Sequence, residues 1–180
     1  MCIRDSHLLN HTSGIKHYKN KREGQTNKHY PTLLAAINTF KDRDLAFSPG
    51  TGYQYTTYGY VVLGAIIEKV SGQDFGTYMK ENVWSKANMN NTSLEIKGQS
   101  YPNKTELYLK LKNKVKDAVP TDLSLKYPGG GMQTTVEDLL NFGHALLNND
   151  LVNAATFERM LVPTDRKKQG VPYGLVNGVW

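Results

Sequence analysis

The sequence predicts an α+β domain, and three observations carry that prediction. An apolar stretch at helical spacing runs over residues 57–70, from just after a Pro-Gly turn to a Ser-Gly stop. A second stripe of helical repeat occupies 134–148. Between them, residues 88–126 hold the run LYLKLKNKVKDAV, which alternates at period two. Helical segments kept apart from a strand-forming segment are the pattern of a fold whose helices sit to one side of its sheet.

In chain order, LLNHTSGI reads as a helix end followed by a glycine turn, and the polar stretch 16–30 as a loop. YPTLLAAINTFKD opens with Pro31 near a first helical turn and continues with good helix formers. In FSPGT, Pro49 and Gly50 supply the fixed and the permissive torsions of a turn. The helix over 57–70 should stop at Ser71-Gly72, with Gly72 in the left-handed cap. DFGTYMKENVWSKA starts a further helix with Asp74 as N-cap. In TTVEDLLNFGHALLNND, Thr134 and Glu137 have capping-box spacing. Val62, Ile66, Leu139, Leu140 and Leu147 are expected in the core. NAATFERMLVP adds a short helix ending before Pro163, and GVPYGLVNGVW reads as a strand.

At 180 residues and 39% hydrophobic, the chain can bury a core, which sets it apart from disordered chains. No run of 18 apolar residues occurs, so no membrane-spanning helix is expected. The net charge of +6 is concentrated in 16–28 and 110–116. Both runs read as solvated faces, and no nucleic-acid partner is expected. The first six residues, MCIRDS, back-translate to a transposase end sequence and are expected to be adapter read-through; the domain is then 7–180, a partial one truncated at both ends. Cys2, the single cysteine, falls in that segment, so no thiol chemistry is expected. His7 and His11 stand four apart without a third ligand, so no metal and no cofactor are expected.

Four tyrosines (Tyr53, Tyr55, Tyr58 and Tyr60) and the pair Thr56-Thr57 lie at the mouth of the 57–70 helix. They either pack there, or one of them does chemistry. Three glycines, Gly129, Gly130 and Gly131, remove every Cβ from one stretch of backbone. They form a cleft wall that approaches a ligand, a tight turn before the next helix, or both.

HLLNHTSGI, FSPGTGYQYTTYGYVVLGAIIEKVSG, GGGMQTTVEDLLNFG and YGLVNG occur here in one order. In that order they resemble the serine β-lactamase-related hydrolases, the superfamily of class C β-lactamases, penicillin-binding D,D-peptidases and related esterases. GIKHY, the Tyr-Thr-Thr-Tyr-Gly-Tyr stretch and LKYPGGG are most similar to its mitochondrial-type branch and that branch's bacterial relatives. The resemblance covers nearly all of 7–180. It implies a β-lactamase/transpeptidase-like fold with a sheet lobe and a helical lobe, this chain being mainly the helical lobe and cleft loops.

The resemblance also implies an acyl-serine mechanism on amide or ester bonds, with a small peptide, β-lactam or ester as substrate. For the full-length bacterial parent it implies a periplasmic or extracytoplasmic setting. The family's Tyr-x-Asn motif falls on Tyr55-Thr56-Thr57, making Tyr55 the general base and placing Thr57 with Gly129, Gly130 and Gly131 on the substrate cleft. His11, Thr12, Ser13 and Gly14 become structural residues behind the site. Thr57 stands where most members have Asn. The Ser-x-x-Lys motif is expected upstream of His7, because Ser13-Gly14-Ile15-Lys16, which has the spacing, lies inside the turn motif. The His-x-Gly or Lys-Thr-Gly motif is expected beyond Trp180. A non-catalytic homologue serving as a binding or assembly module is the other reading.

Overall fold

The computed structural model describes residues 2–162. Among them are eight α-helices, α1 (Asp5–Leu9), α2 (Lys21–Gly24), α3 (Leu33–Ile37), α4 (Thr57–Ser71), α5 (Phe75–Met79), α6 (Tyr127–Gly130), α7 (Val136–Leu147) and α8 (Ala154–Leu161). A π-helical turn, Lys80–Trp84, continues α5. The strands β1 (Ser93–Leu94), β2 (Tyr108–Leu111), β3 (Lys114–Asp117) and β4 (Met132–Gln133) form two antiparallel pairs, β1 with β4 and β2 with β3. The architecture is α+β. None of the described helices is long and apolar enough to cross a membrane. The strand reading of 171–180 lies outside the described residues.

Local chemistry sets most boundaries. Thr56 caps α4 by accepting the Tyr58 N–H, and the helix ends at Gly72 with φ 73°. Asp74 caps α5 through the Thr77 N–H, and Asn153 caps α8 through the Thr156 N–H. The cap of α7 lies one residue later than the capping-box spacing suggested: Thr135, not Thr134, accepts the Asp138 N–H, while the Thr134 hydroxyl meets that of Thr92 at 2.7 Å. The polar stretch after Lys16 is not all loop, since Asn20 caps the single turn of α2.

The main core lies between α3, α4 and the segment entering α6. Leu33, Ala36, Phe40, Tyr58, Val61, Phe75 and Leu125 are its buried members. Phe40 stacks on Tyr58 with ring centroids 4.0 Å apart. At Gly64 a Cβ would come within 2.3 Å of Pro128, so its absence lets α4 meet α6. A smaller core joins Trp84, Ala87 and Met89 to Ala145 of α7.

Both long helices form where the periodicity places them, but four of the five side chains expected inside are exposed. Ile66, Leu139, Leu140 and Leu147 are 44%, 55%, 60% and 69% exposed, and Val62 is half-buried. A polar anchor explains α7. Asp138, 2% exposed, accepts hydrogen bonds from the Asn91 N–H (2.8 Å) and the Thr92 hydroxyl (2.7 Å). That turns the Asp138–Ala145 face inward and the leucine stripe outward. On α4 the inward face is Tyr58, Val61 and Gly64, and Ile66 instead lines an apolar pocket of about 310 Å³ with Leu8, Ile37, Phe40 and Leu45.

Candidate active site

The site is built around the N-terminus of α4. The first N–H groups of a helix have no partner within it and must find one elsewhere. Here three different acceptors serve them. The Thr56 N–H donates to His11 Nδ1 (3.3 Å), the Thr57 N–H to His17 Nδ1 (3.4 Å), and the Tyr58 N–H to Thr56 Oγ1 (3.2 Å). Since Nδ1 is the acceptor in each imidazole, each neutral ring carries its proton on Nε2.

The HTSG loop is held against the segment leading into α4. The Gln54 N–H donates to the His11 carbonyl (3.0 Å), the Gly50 N–H to that of Thr12 (2.8 Å), and the Ala46 N–H to that of Gly14 (2.8 Å). All four loop residues are buried. Gly14 has φ 79°, and a Cβ there would lie 2.2 Å from the Phe47 carbonyl oxygen. Only glycine allows both that torsion and that approach.

Above this loop sits Tyr55, 48% exposed, with its ring on His11 at 4.5 Å between centroids. His17 meets Tyr55 edge-on at 5.6 Å, and Tyr53 and Tyr60 also border His11, at 6.1 and 5.4 Å. Tyr60 donates from its hydroxyl to the Leu9 carbonyl (2.9 Å). Tyr55 therefore stands on a bed of rings with part of its surface open to solvent.

Thr57, assigned by its motif position to the substrate cleft, is only 8% exposed. Its Cγ2 is 2.8 Å from where a Gly129 Cβ would be, and the Tyr60 Cβ is 3.3 Å from that point. Thr57 thus supports the glycine turn. Gly129 joins the cluster of His11, Tyr55, Thr57 and Tyr60. Gly130 (φ 152°) faces open space, and Gly131 packs on Tyr127 while its carbonyl accepts the Glu95 N–H (2.8 Å). Ser13, the serine with the Ser-x-x-Lys spacing, is fully buried, and its Oγ accepts the Ile15 N–H (3.3 Å). It has no access to a substrate.

Reading the sequence missed the polar layer beneath. Tyr58 is wholly buried and donates to Glu23 (2.8 Å), which also pairs with Arg43. Burial raises the Tyr58 pKa, and the hydrogen bond to Glu23 adds to that. Burial works against the Glu23 carboxylate, but hydrogen bonds from Arg43, the Lys19 N–H and Tyr58 outweigh it and hold the pKa below normal. A second polar tie links Asp122 to Ser124 and to His29 (3.1 Å), while the Tyr30 N–H donates to Ser124 (2.8 Å). Glu23 within a basic run gave no periodic signal; its only mark was being the one acid there.

Burial, and then the nearby His17, push the His11 pKa from 6.5 down to about 4. The folded state therefore holds the ring neutral where the unfolded chain takes up a proton. Stability should be unaffected by this group above 6.5 and fall as pH drops from there toward about 4. The loss by the acid end is about 3 kcal/mol. His17, also lowered by burial although Glu23 opposes it, acts in the same direction. Urea unfolding near neutral pH and in mild acid should show this slope. His11→Asn, which keeps an acceptor and tolerates the φ of 60°, should flatten it; an unchanged slope would remove His11 as the cause.

The helical body with short antiparallel strands, and the tyrosine held over the HTSG loop at a helix N-terminus, sit in a β-lactamase/transpeptidase-like fold, as the matching solved structures show. A penicillin-binding protein from Bacillus halodurans matches with a TM-score of 0.79 and 25% identity, over 94% of this chain and 53% of that one. A D-stereospecific amidohydrolase from Streptomyces sp. matches with a TM-score of 0.80 at 24% identity, over 96% and 55%. The chain belongs to the Beta-lactamase family, a family of serine hydrolases, matching it over residues 3–177. Among curated proteins it is 36% identical to the mitochondrial serine β-lactamase-like protein of Homo sapiens over 121 residues, 66% of this chain and 22% of that protein. It is 27% identical to penicillin-binding protein 4* of Bacillus subtilis over 176 residues, 87% and 38%. The chain thus spans well under half the length of these curated relatives.

Proposed function

We propose that this chain supplies the acid–base part of a serine-hydrolase site acting on amide or ester bonds, with Tyr55 as the proton-transfer group. The nucleophilic serine comes from outside the 180 residues. The observation that carries the reading is the placement of Tyr55: a half-exposed side chain whose ring lies tilted against the buried His11, 4.5 Å between centroids, at the family's second motif. Serine is a weak nucleophile until its proton is taken. In the proposed step Tyr55 enters as the phenolate, and its oxygen accepts the proton from the serine hydroxyl, becoming the neutral phenol, as Oγ bonds to the substrate carbonyl carbon. Tyr55 then returns that proton to the departing amine or alkoxide as the carbonyl–heteroatom bond breaks, leaving an acyl-serine. Water attacks the acyl-serine by the same relay in reverse. Penicillin-binding and D-stereospecific amide-hydrolysing relatives support a small peptide, β-lactam or ester as substrate.

A fluorophosphonate probe tests this. The longer gene product should be labelled at one serine, and the 180-residue chain should not be labelled. Labelling of the short chain would place the nucleophile inside it. No labelling of the folded longer protein would favour the non-catalytic binding module.

A further inference from the structure

We propose that the polar groove beside the β1–β4 ladder binds a neutral saccharide; this stands independently of the acyl-transfer reading. The groove encloses about 580 Å³, within the range of small-ligand sites, and shares no residue with the Tyr55 cluster. Most of its lining residues carry a neutral amide or hydroxyl, among them Asn90, Ser93, Tyr101, Asn103, Gln133 and Thr134, set on the carbon surface of their own stems. Its two charged residues, Glu95 and Lys104, neutralise each other at 2.6 Å, so a charged ligand has no uncommitted counter-charge there. Pro102 and Leu107 are its only aliphatic residues, and with the Tyr101 ring they offer the apolar surface on which the carbon face of a sugar ring can rest.

What remains suits a polyol. Each sugar hydroxyl is both donor and acceptor, and a side-chain amide offers both functions side by side. Among the described residues, the amides of Asn90 and Asn103 make no hydrogen bond. Gln133 spends one N–H on Ser93 Oγ (3.1 Å) and keeps its oxygen and second N–H. The frame around these amides is fixed. Tyr101 donates from its hydroxyl to the Leu94 carbonyl (2.9 Å) and accepts the Ile96 N–H (2.8 Å). Thr92 is tied to the buried Asp138. Antiparallel pairing of Ser93 with Gln133 forms the base. Preformed walls and unspent neutral amides are what recognition of a hydroxyl-rich ligand requires.

The test is NMR titration of the 180-residue chain with chitotetraose and, separately, maltotetraose. At least one should give saturation transfer and shift the amide resonances of 90–93, 101–105 and 133–134. The double variant Asn90→Ala, Asn103→Ala removes two exposed, uncommitted amides, and its thermal unfolding should match the parent's. It should weaken binding by about tenfold or more. Absence of saturation transfer from both sugars overturns the proposal, and so does binding that the double variant leaves intact.

Discussion

On the proposed reading, Tyr55→Phe should slow serine acylation by about 10²–10⁴-fold in a protein that supplies the nucleophile. The substitution separates chemistry from packing. Phenylalanine keeps the ring that rests on His11 at 4.5 Å and faces His17 at 5.6 Å, so only the oxygen is lost. Melting should therefore be unchanged while the rate of fluorophosphonate labelling collapses. A labelling rate within about twofold of the parent's would show that the proton goes elsewhere, because a positioned acid–base group contributes far more than that. Tyr55→Ala is the less informative variant, since it also uncovers His11.

The largest stability effect is expected at Tyr58. Its side chain is fully buried, stacked on Phe40 at 4.0 Å and edge-on to Tyr18 at 4.9 Å, with the Arg43 guanidinium 5.5 Å from its ring centre. Tyr58→Ala opens a cavity in the main core and should cost about 3–5 kcal/mol, a large part of the 5–15 kcal/mol typical of a domain. Tyr58→Phe keeps the packing and deletes one hydrogen bond to the Glu23 carboxylate. It should cost about 1.5–3 kcal/mol. Urea denaturation of both variants checks the order. An alanine variant that loses less than about 1 kcal/mol would mean the ring is not at the centre of the core.

The helices were legible because their signals are local. The cap at Asp74 and the stop at Gly72 were read from residues a few positions apart, and the caps at Thr56 and Asn153, found in the structure, are of the same local kind. The strand character of β2 and β3 was legible from the period-two run, but the turn that pairs them as a hairpin was not. Which way a helix faces is not local. On α7 the apolar stripe competes with one buried carboxylate, Asp138, whose partners Asn91 and Thr92 are more than forty residues away. No periodicity within 134–148 records those partners, so the leucines were assigned inward. In the candidate site, Tyr55 and the HTSG loop stood out through the order of their motifs. His17, Glu23 and Arg43 did not, because each looks like a surface residue until the fold brings Tyr58 and Thr57 beside it.

Residues 97–122 start and end at neighbouring points of the body, and on the way Tyr101 and Lys104 stay tied to Leu94 and Glu95. Lys97 reaches Asn27 through its ammonium group (3.1 Å), and the Asp122 N–H returns to the Thr26 carbonyl (3.3 Å). Between those two contacts the chain turns back through β2 and β3, every residue of which is exposed. An excursion whose exit and re-entry are neighbours is topologically a handle. Its length can change while the anchor points stay where they are, and doubling such a loop costs only about 0.6 kcal/mol of closure entropy. The tip at Lys112-Asn113 is therefore a natural place to splice in foreign sequence, such as an epitope or a reporter domain, far along the chain from the HTSG loop and α4.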